Sequence, residues 1–541
     1  MESPVGRALL RLTGVSLVAV ALVALVAPRP VNVGHRWQVV VPVTVTLVVL
    51  AVVVRLPAWT KNRRLPLVVS VAGGAVATFV GLMMRYHYGW DARVVLDMAR
   101  TLQAGRPLSA ADYDYLSLYP NNLPLLAIDR AGVAVAHGLS LAPDAVLIPL
   151  NGICVAVTLY AVHDLVVRVA GRGPSLVAQL VTLLLVGTSP WLAVPYTDFY
   201  SMPFVVGAVA LAARALSPGP LPRRVGLWVL AVVAMSVGYA IKTTPVVIAV
   251  AAVLTAVVAI FDHDLAPRRR AGVIAACAAS SVAFVALGLG LSTGATAASG
   301  VDAARMDASA SPPLIWWIAL GAAEGRTAQG EPTYGAYSQP MVDALEGRTP
   351  SEVSQYSADF LAQRRSERGL GGTLAFYGDK AAWNWGDGMF GAWWEGLDAA
   401  PGALAPATGP TGAVHELNGF HGWAYPVRAD LTQALWLAVL LVAGGGLLRA
   451  PYRRDTVLLA VSVLGIASFT VLLQGRSRYL FAFVPLVVAL AAVAHGSLPR
   501  LRPSTRSRAH GVDRTDEAQS IESVSTASTA ASAAGSPSRV I

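Results

Sequence analysis

The chain has 541 residues, 55% of them hydrophobic and 13% charged, with a formal net charge of +10, an isoelectric point near 9.8 and a mean hydropathy of +0.57. So apolar and charge-poor a composition excludes an ordinary soluble globular protein and predicts an all-α polytopic membrane protein. The positive balance does not point to nucleic acid, because the basic residues sit in short clusters between apolar runs, where they orient helices in a bilayer.

A bilayer core about 30 Å thick needs roughly 17 to 25 apolar residues per helix. About twelve such runs (eleven to thirteen) are present, near 8–27, 38–54, 66–84, 145–165, 174–191, 199–216, 225–241, 243–261, 271–292, 430–448, 455–473 and 478–495. The first follows a basic start and imitates a signal peptide, but no clear cleavage site follows it and it is expected to stay. Cys154 and Cys277 fall inside apolar runs, so neither a disulfide framework nor a metal site is expected of them.

Orientation follows from the basic loops. Arg55, Lys61, Arg63 and Arg64, then Arg168 and Arg172, Arg223 and Arg224, Arg268 to Arg270, and Arg449, Arg453 and Arg454 fall on one side, which is therefore cytoplasmic. This holds only if PNNLPLLAIDRAGVAVAHG (120–138) does not cross, since Asp129 and Arg130 at mid-helix would cost about 2.5 to 3.5 kcal/mol each. That segment and the amphipathic stretch 91–102 are expected to lie in the interface. The resulting divisions are an added N-terminal pair of spans (1–65), a membrane core (66–292) with a first external loop (85–144), an external loop domain (293–429), C-terminal spans (430–498) and a disordered cytoplasmic tail (499–541).

In chain order, the outer pieces hold the chemistry. The first loop opens with Arg85, Tyr86, His87, Tyr88, Trp90, Asp91 and Arg93, then YDYLSLYPNN with Tyr113, Tyr115, Tyr119, Asn121 and Asn122. Asp91 is read first as a general base, with the N-cap of the helix that follows as the alternative and the two roles compatible. Tyrosine faces and amides suit sugars, though tyrosine also marks the headgroup belt. Tyr196 and Asp198 in PYTD stand at another outer helix mouth, where Asp198 again reads as a functional acid or a cap. Lys242 in KTTP, with Pro245 opening the next helix, and Arg476 and Arg478 in the last outer turn defy the positive-inside tendency. Such cations suit a lipid phosphate or ordinary snorkelling. The late loop is dense in tryptophan, with Trp316, Trp317, Trp383, Trp385, Trp393, Trp394 and Trp423 beside Lys380, Asp387, Glu395, His415 and His421. It reads as a lid or acceptor groove near the membrane plane, or as a small domain core with an aromatic belt.

The motifs GWDAR (89–93), YPNN (119–122), PYTD (195–198), KTTP (242–245), WNWGDG (383–388) and RSRYLFAFVP (476–485), in this layout of loops, resemble bacterial family-39-type members of the GT-C superfamily of integral membrane glycosyltransferases. The resemblance covers roughly 66–495. It implies a GT-C-like fold and an enzyme of the cell membrane that moves a sugar from a polyprenyl-phosphate donor to an extracytoplasmic glycan, lipid or protein acceptor, with inversion. Asp91 and Asp198 would be catalytic, Lys242, Arg476 and Arg478 would hold donor phosphate, and Tyr88, Trp90, Tyr119, Asn121, Asn122, Tyr196, Trp385 and Asp387 would meet sugar or acceptor. Where many members carry two adjacent acids, Asp91 is followed by Ala92. No cofactor is obligatory, although a divalent cation, Mg2+ or Mn2+, is compatible with Asp91 and Asp198, since hard cations take carboxylate oxygen. The Ala-, Val- and Arg-heavy usage suits a high-GC bacterium and a mannosyl or arabinosyl donor. The rival class is a lipid-linked-sugar flippase or secondary transporter, for which polar residues at mid-span are expected.

Overall fold

The computed structural model describes residues 3–28, 34–53, 62–84, 88–261, 266–326, 330–392 and 407–496. Arg55, Lys61, Arg85, Tyr86, His87, Trp393, Trp394, Glu395 and the tail from 499 lie outside them.

The chain opens with α1 (Pro4–Val26), α2 (Trp37–Val53) and α3 (Leu65–Met84). A connection of three helices follows, α4 (Trp90–Gln103), α5 (Ala110–Leu118) and α6 (Leu123–Gly138). Six apolar helices come next: α7 (Asp144–Ala170), α8 (Arg172–Leu185), α9 (Thr197–Leu216), α10 (Leu221–Ile241), α11 (Val246–Ile260) and α12 (Pro267–Ser299). A polar insertion then holds α13 (Leu314–Gly321), an antiparallel hairpin of β1 (Glu324–Arg326) and β2 (Pro332–Tyr334), α14 (Gln339–Asp343), α15 (Pro350–Trp385) and α16 (Gly409–Asn418). The chain closes with α17 (Tyr425–Leu447), α18 (Arg454–Leu472) and α19 (Val484–Gly496).

Each of the twelve expected apolar runs is helical, but among the described residues nine helices are long and apolar enough to cross a bilayer. The molecule is a multi-pass membrane protein. The last of the nine joins the 3-10 turn Ser477–Phe483 to α19, and the three shorter apolar helices are α2, α8 and α11, of 17, 14 and 15 residues. At about 1.5 Å per residue their described lengths come to about 25, 21 and 22 Å. α4 and α6 are not among the candidate spans, as expected of helices carrying Asp97, Asp129 and Arg130.

Local sequence explains the caps outside the spans. Ser109 and Asp112 form a capping box on α5, and Thr349 and Glu352 form another on α15, where Pro350 fills the first turn. At Gly369 (φ +61°) the backbone leaves helical geometry and α15 kinks.

Without a hydrophobic drive between helices in lipid, close approach depends on small residues. A Cβ on Gly152 of α7 would meet Gly74 O of α3 at 2.6 Å, and one on Gly74 would meet Gly152 O at 2.7 Å. Gly14 of α1 and Gly444 of α17 repeat the arrangement, at 2.9 and 2.7 Å. Asp430 of α17 then fixes the start of α2, accepting from Arg36 Nε at 2.6 Å and lying 3.1 Å from His35 Nδ1. α12, by contrast, buries only Gly288 and Ser299 and presents its apolar length outward.

The ends of the bundle differ. At one end Asp164 of α7 pairs with Arg168 and with Arg214 of α9, near Arg453 and Asp455 at the start of α18. The opposite end gathers the ends or starts of α3, α7, α9, α10, α17 and α18 beneath α4, α5 and the insertion.

Replacing Gly152 with leucine is expected to force α3 from α7 and to lower the melting temperature in detergent, at a cost of about 1–3 kcal/mol or more. Unchanged melting would show that the glycine contact does not set the crossing.

Candidate active site

Asp91 sits in the first turn of α4, one residue beyond Trp90, whose φ of +44° places a bulky residue in the left-handed region. Such backbone persists only where its surroundings over-determine it. Here they do: the Trp90 ring meets Trp191 at 5.9 Å and Tyr196 at 5.4 Å, both edge-on, and the Arg478 guanidinium lies 4.5 Å from its centroid. Phe390 (φ +53°) is a second left-handed residue of this region, and its carbonyl accepts from Trp191 Nε1 at 2.9 Å.

The N-cap of α4 is Gly89, so Asp91 does not cap its helix. Its two oxygens instead accept from Tyr115 Oη at 2.7 Å and Tyr196 Oη at 3.2 Å. Asn122 Nδ2 donates to Tyr115 Oη at 2.7 Å, which orients that phenol toward the acid. Burial, and then the Asp91 charge, hold the Tyr115 and Tyr196 phenols well above their ordinary range, so both remain donors. Burial, with Tyr337 and Asp91 beyond it, pushes Tyr119 up to about 12.

Asp198 likewise does not cap its helix, since the N-cap of α9 is Tyr196. Its carboxylate pairs with Lys242 and lies 3.9 Å from Arg478 Nε. Lys242 ends α10 as its C-cap, in extended backbone, and its ammonium stands 5.2 Å from the Tyr479 ring centroid. Arg478 is enclosed by four aromatic rings, with Trp191, Tyr196 and Tyr479 at 5.4, 5.3 and 5.9 Å besides Trp90. A desolvated cation over an aromatic face gains about 2 kcal/mol.

Tyr196 joins the two halves. Its hydroxyl touches Asp91 and its ring lies against Arg478. The carboxylate from the first connection and the guanidinium from the last turn are thus separated by about one tyrosine. Arg476 is close enough for its charge to act on Tyr337, as that of Asp91 also does.

The structure thus brings Asp91, Asp198, Lys242, Arg478, Trp90, Tyr196, Tyr119 and Asn122 into one cluster, with Arg476 at its edge. Asn121 is exposed and donates to Asn122 Oδ1 at 3.4 Å. Tyr88 turns away and donates to Asp144 at 3.2 Å. Trp385 donates to Thr470 and stacks on Trp436, and Asp387 accepts from Ser477 Oγ at 2.6 Å and from the Met389 and Gly391 amides. Burial raises the Asp387 carboxyl, against these hydrogen bonds. Sequence gives Trp191 no role although it stands just before PYTD, in SPWLAVPYTD, and gives Tyr479 none beyond its place within RSRYLFAFVP. Among the described residues no group of three or more His, Cys, Asp or Glu side chains could hold a metal ion.

Apolar helices of spanning length, with an ionic and aromatic cluster gathered at one end, define a polytopic integral membrane protein. The family model described as conserved hypothetical integral membrane protein matches residues 33–497, and the chain belongs to that family. No curated protein and no solved structure matches the chain.

The Lys242–Asp198 pair has little solvent, with 11% and 7% of the side chains exposed. Breaking a buried pair typically costs about 3–5 kcal/mol. Lys242→Met and Asp198→Asn are each expected to lower thermal stability, and the double variant to be more stable than the sum of the two losses by about 1 kcal/mol or more. Strict additivity in the melting curves would dissolve the pair.

Proposed function

We propose that this protein is a GT-C-like glycosyltransferase of the cell membrane, with twelve spans and with α4 and α6 lying in the interface. It transfers a single sugar from a polyprenyl phosphate to an acceptor hydroxyl on the extracytoplasmic face. The observation that carries this reading is the bridge made by Tyr196, which sets an acid beside cations suited to phosphate.

The chemistry follows from what each group can do. Asp91 takes the proton of the acceptor hydroxyl as the acceptor oxygen bonds to the anomeric carbon. The bond from that carbon to the phosphate oxygen breaks, and its electron pair leaves with the phosphate. Attack opposite the leaving group inverts the anomeric centre. Lys242 and Arg478, with Arg476 beside them, stabilise the charge that collects on the phosphate, a point charge and planar forks working together. The products are the glycosylated acceptor and polyprenyl phosphate, and Asp91 returns its proton to water.

In this reading Asp198 holds Lys242 and Arg478 side by side before a phosphate arrives. Tyr115 and Tyr196 aim the Asp91 carboxylate, buried Asn122 orients Tyr115, and Tyr119 offers a sugar-compatible face beside them.

Asp91→Asn in membranes supplied with labelled polyprenyl-phosphate sugars is expected to lower transfer by about 10²- to 10⁴-fold, the usual contribution of a positioned base, with the protein still folded. Arg478→Gln is expected to weaken donor binding as well as rate. Unchanged turnover in Asp91→Asn removes that residue as base, and movement of intact lipid across the bilayer with no glycosidic bond broken sinks the transferase in favour of a flippase.

A further inference from the structure

The turn that carries the candidate phosphate cations is not held by the membrane helices alone. From the end of α18 to Ser477 it is tied, almost residue by residue, to the polar insertion. Thr470 accepts from Asn384 Nδ2 at 3.2 Å through its carbonyl and from Trp385 Nε1 at 3.3 Å through its hydroxyl. The Leu473 carbonyl accepts from Lys380 Nζ at 2.6 Å. Gln474 N donates to Trp317 O at 3.1 Å, and Gly475 N to Gly335 O at 2.9 Å. Ser477 Oγ then donates to Asp387 Oδ2 at 2.6 Å, one residue before Arg478.

Lys380 is the centre of this arrangement. Its side chain is fully buried, and Nζ also donates to Gly321 O at 2.6 Å, so one amine joins the end of α13, α15 and the turn. The insertion makes room for it with Gly335, at φ +62°, where a Cβ would stand 2.5 Å from Nζ and 2.2 Å from Gly321 O.

We propose that Lys380 and Asp387 are positioning residues, through which the insertion moulds the Leu473–Arg478 turn and sets the affinity of the cation cluster for a lipid-linked phosphate. This deepens the function proposed above and rests on it.

The chemistry of the amine makes the idea testable. A neutral amine has two N–H donors and finds two carbonyl oxygens. A protonated one adds a charge and a third donor in a buried place. Burial accordingly lowers Lys380 from its ordinary 10.5 to about 7. The titratable and charged groups nearest in the chain to Lys380 and its partners are Tyr377, Asp379 and Asp387 of its own segment, Glu324 beyond Gly321, Tyr334 beside Gly335, and Arg476, Arg478 and Tyr479 beyond Leu473. Burial, not any of these charges, sets the shift. The native protein therefore changes protonation here near neutrality. The unfolded chain keeps the proton up to the ordinary value, so the stability contributed by this group is least below about 7 and rises with pH between about 7 and 10.5.

The test uses the full chain in lipid nanodiscs and a farnesyl phosphate methyl diester, whose single charge does not titrate between pH 6 and 8, with affinity read from tryptophan emission. Wild type is expected to bind several-fold more weakly at pH 6 than at pH 8. Lys380→Met is expected to bind about tenfold more weakly than wild type at pH 8 and to lose the pH dependence, since about 1.4 kcal/mol of misplacement suffices for that factor. Ser477→Ala is expected to weaken binding while keeping the wild-type pH profile, which keeps the test open if Lys380→Met does not fold. Wild-type affinity in Ser477→Ala, or a flat wild-type profile, overturns the positioning role while binding that depends on Arg478 leaves the proposed function standing. If wild type and Arg478→Gln bind the diester equally or not at all, it is the proposed function that falls.

Discussion

Arg478 keeps only 9% of its side chain in contact with solvent, and most of the candidate site can be understood as what it takes to hold a guanidinium there. Desolvating such a charge is costly unless its environment answers it. Asp198 supplies the opposite charge, and four aromatic rings supply quadrupoles where water would otherwise stand. Because those rings come from the start of α4, the α8–α9 turn and the last turn, answering one cation fixes three distant stretches of chain against each other. The left-handed backbone at Trp90 and Phe390 follows from the same demand, for each delivers a group to Trp191 or Arg478 that a relaxed backbone would aim elsewhere.

Much of this was legible in the residues. Span positions were readable because a bilayer demands long apolar runs, and all twelve runs are helices. Their adequacy as spans was less so: α8 begins only after Gly171 and α11 only after Pro245, breaks that a hydropathy reading blurs. The acids and cations of the cluster stood out because charge is rare in such a chain. Their partners did not. That Asp91 would meet two phenols rather than cap α4, and Asp198 a lysine rather than its own helix, depends on α5 and α10 folding back over the same end, and no local pattern encodes that.

The late insertion shows the limit from the other side. Tryptophan beside glycine in WNWGDG reads equally as a binding groove or as packing. In the structure Trp383, Trp385 and Asp387 are buried and turned toward protein partners, and Trp316 anchors a small core with Met341 and Val353. What distinguishes the two uses is whether a polar edge finds a protein partner, and Trp385 Nε1 and the Asp387 oxygens find theirs in Thr470, Ser477 and local amides. Composition cannot register that difference, because it is a property of which strand of chain arrives opposite.

The charge pattern of the cluster bears on the phosphate-linked donor proposed for it. Two carboxylates, Asp91 and Asp198, face three cations, Lys242, Arg476 and Arg478, so the cluster carries one positive charge in surplus. A sugar phosphodiester brings one negative charge, and the two cancel. In the proposed transfer the acceptor proton moves to Asp91 as the phosphate becomes a monoester and gains charge. The cluster becomes more positive at the moment its ligand becomes more negative, so the match is kept through the step without any group having to move far. Stabilisation of that kind acts on the charge that develops in the reaction, and this distinguishes an arrangement that speeds transfer from one that merely retains the lipid.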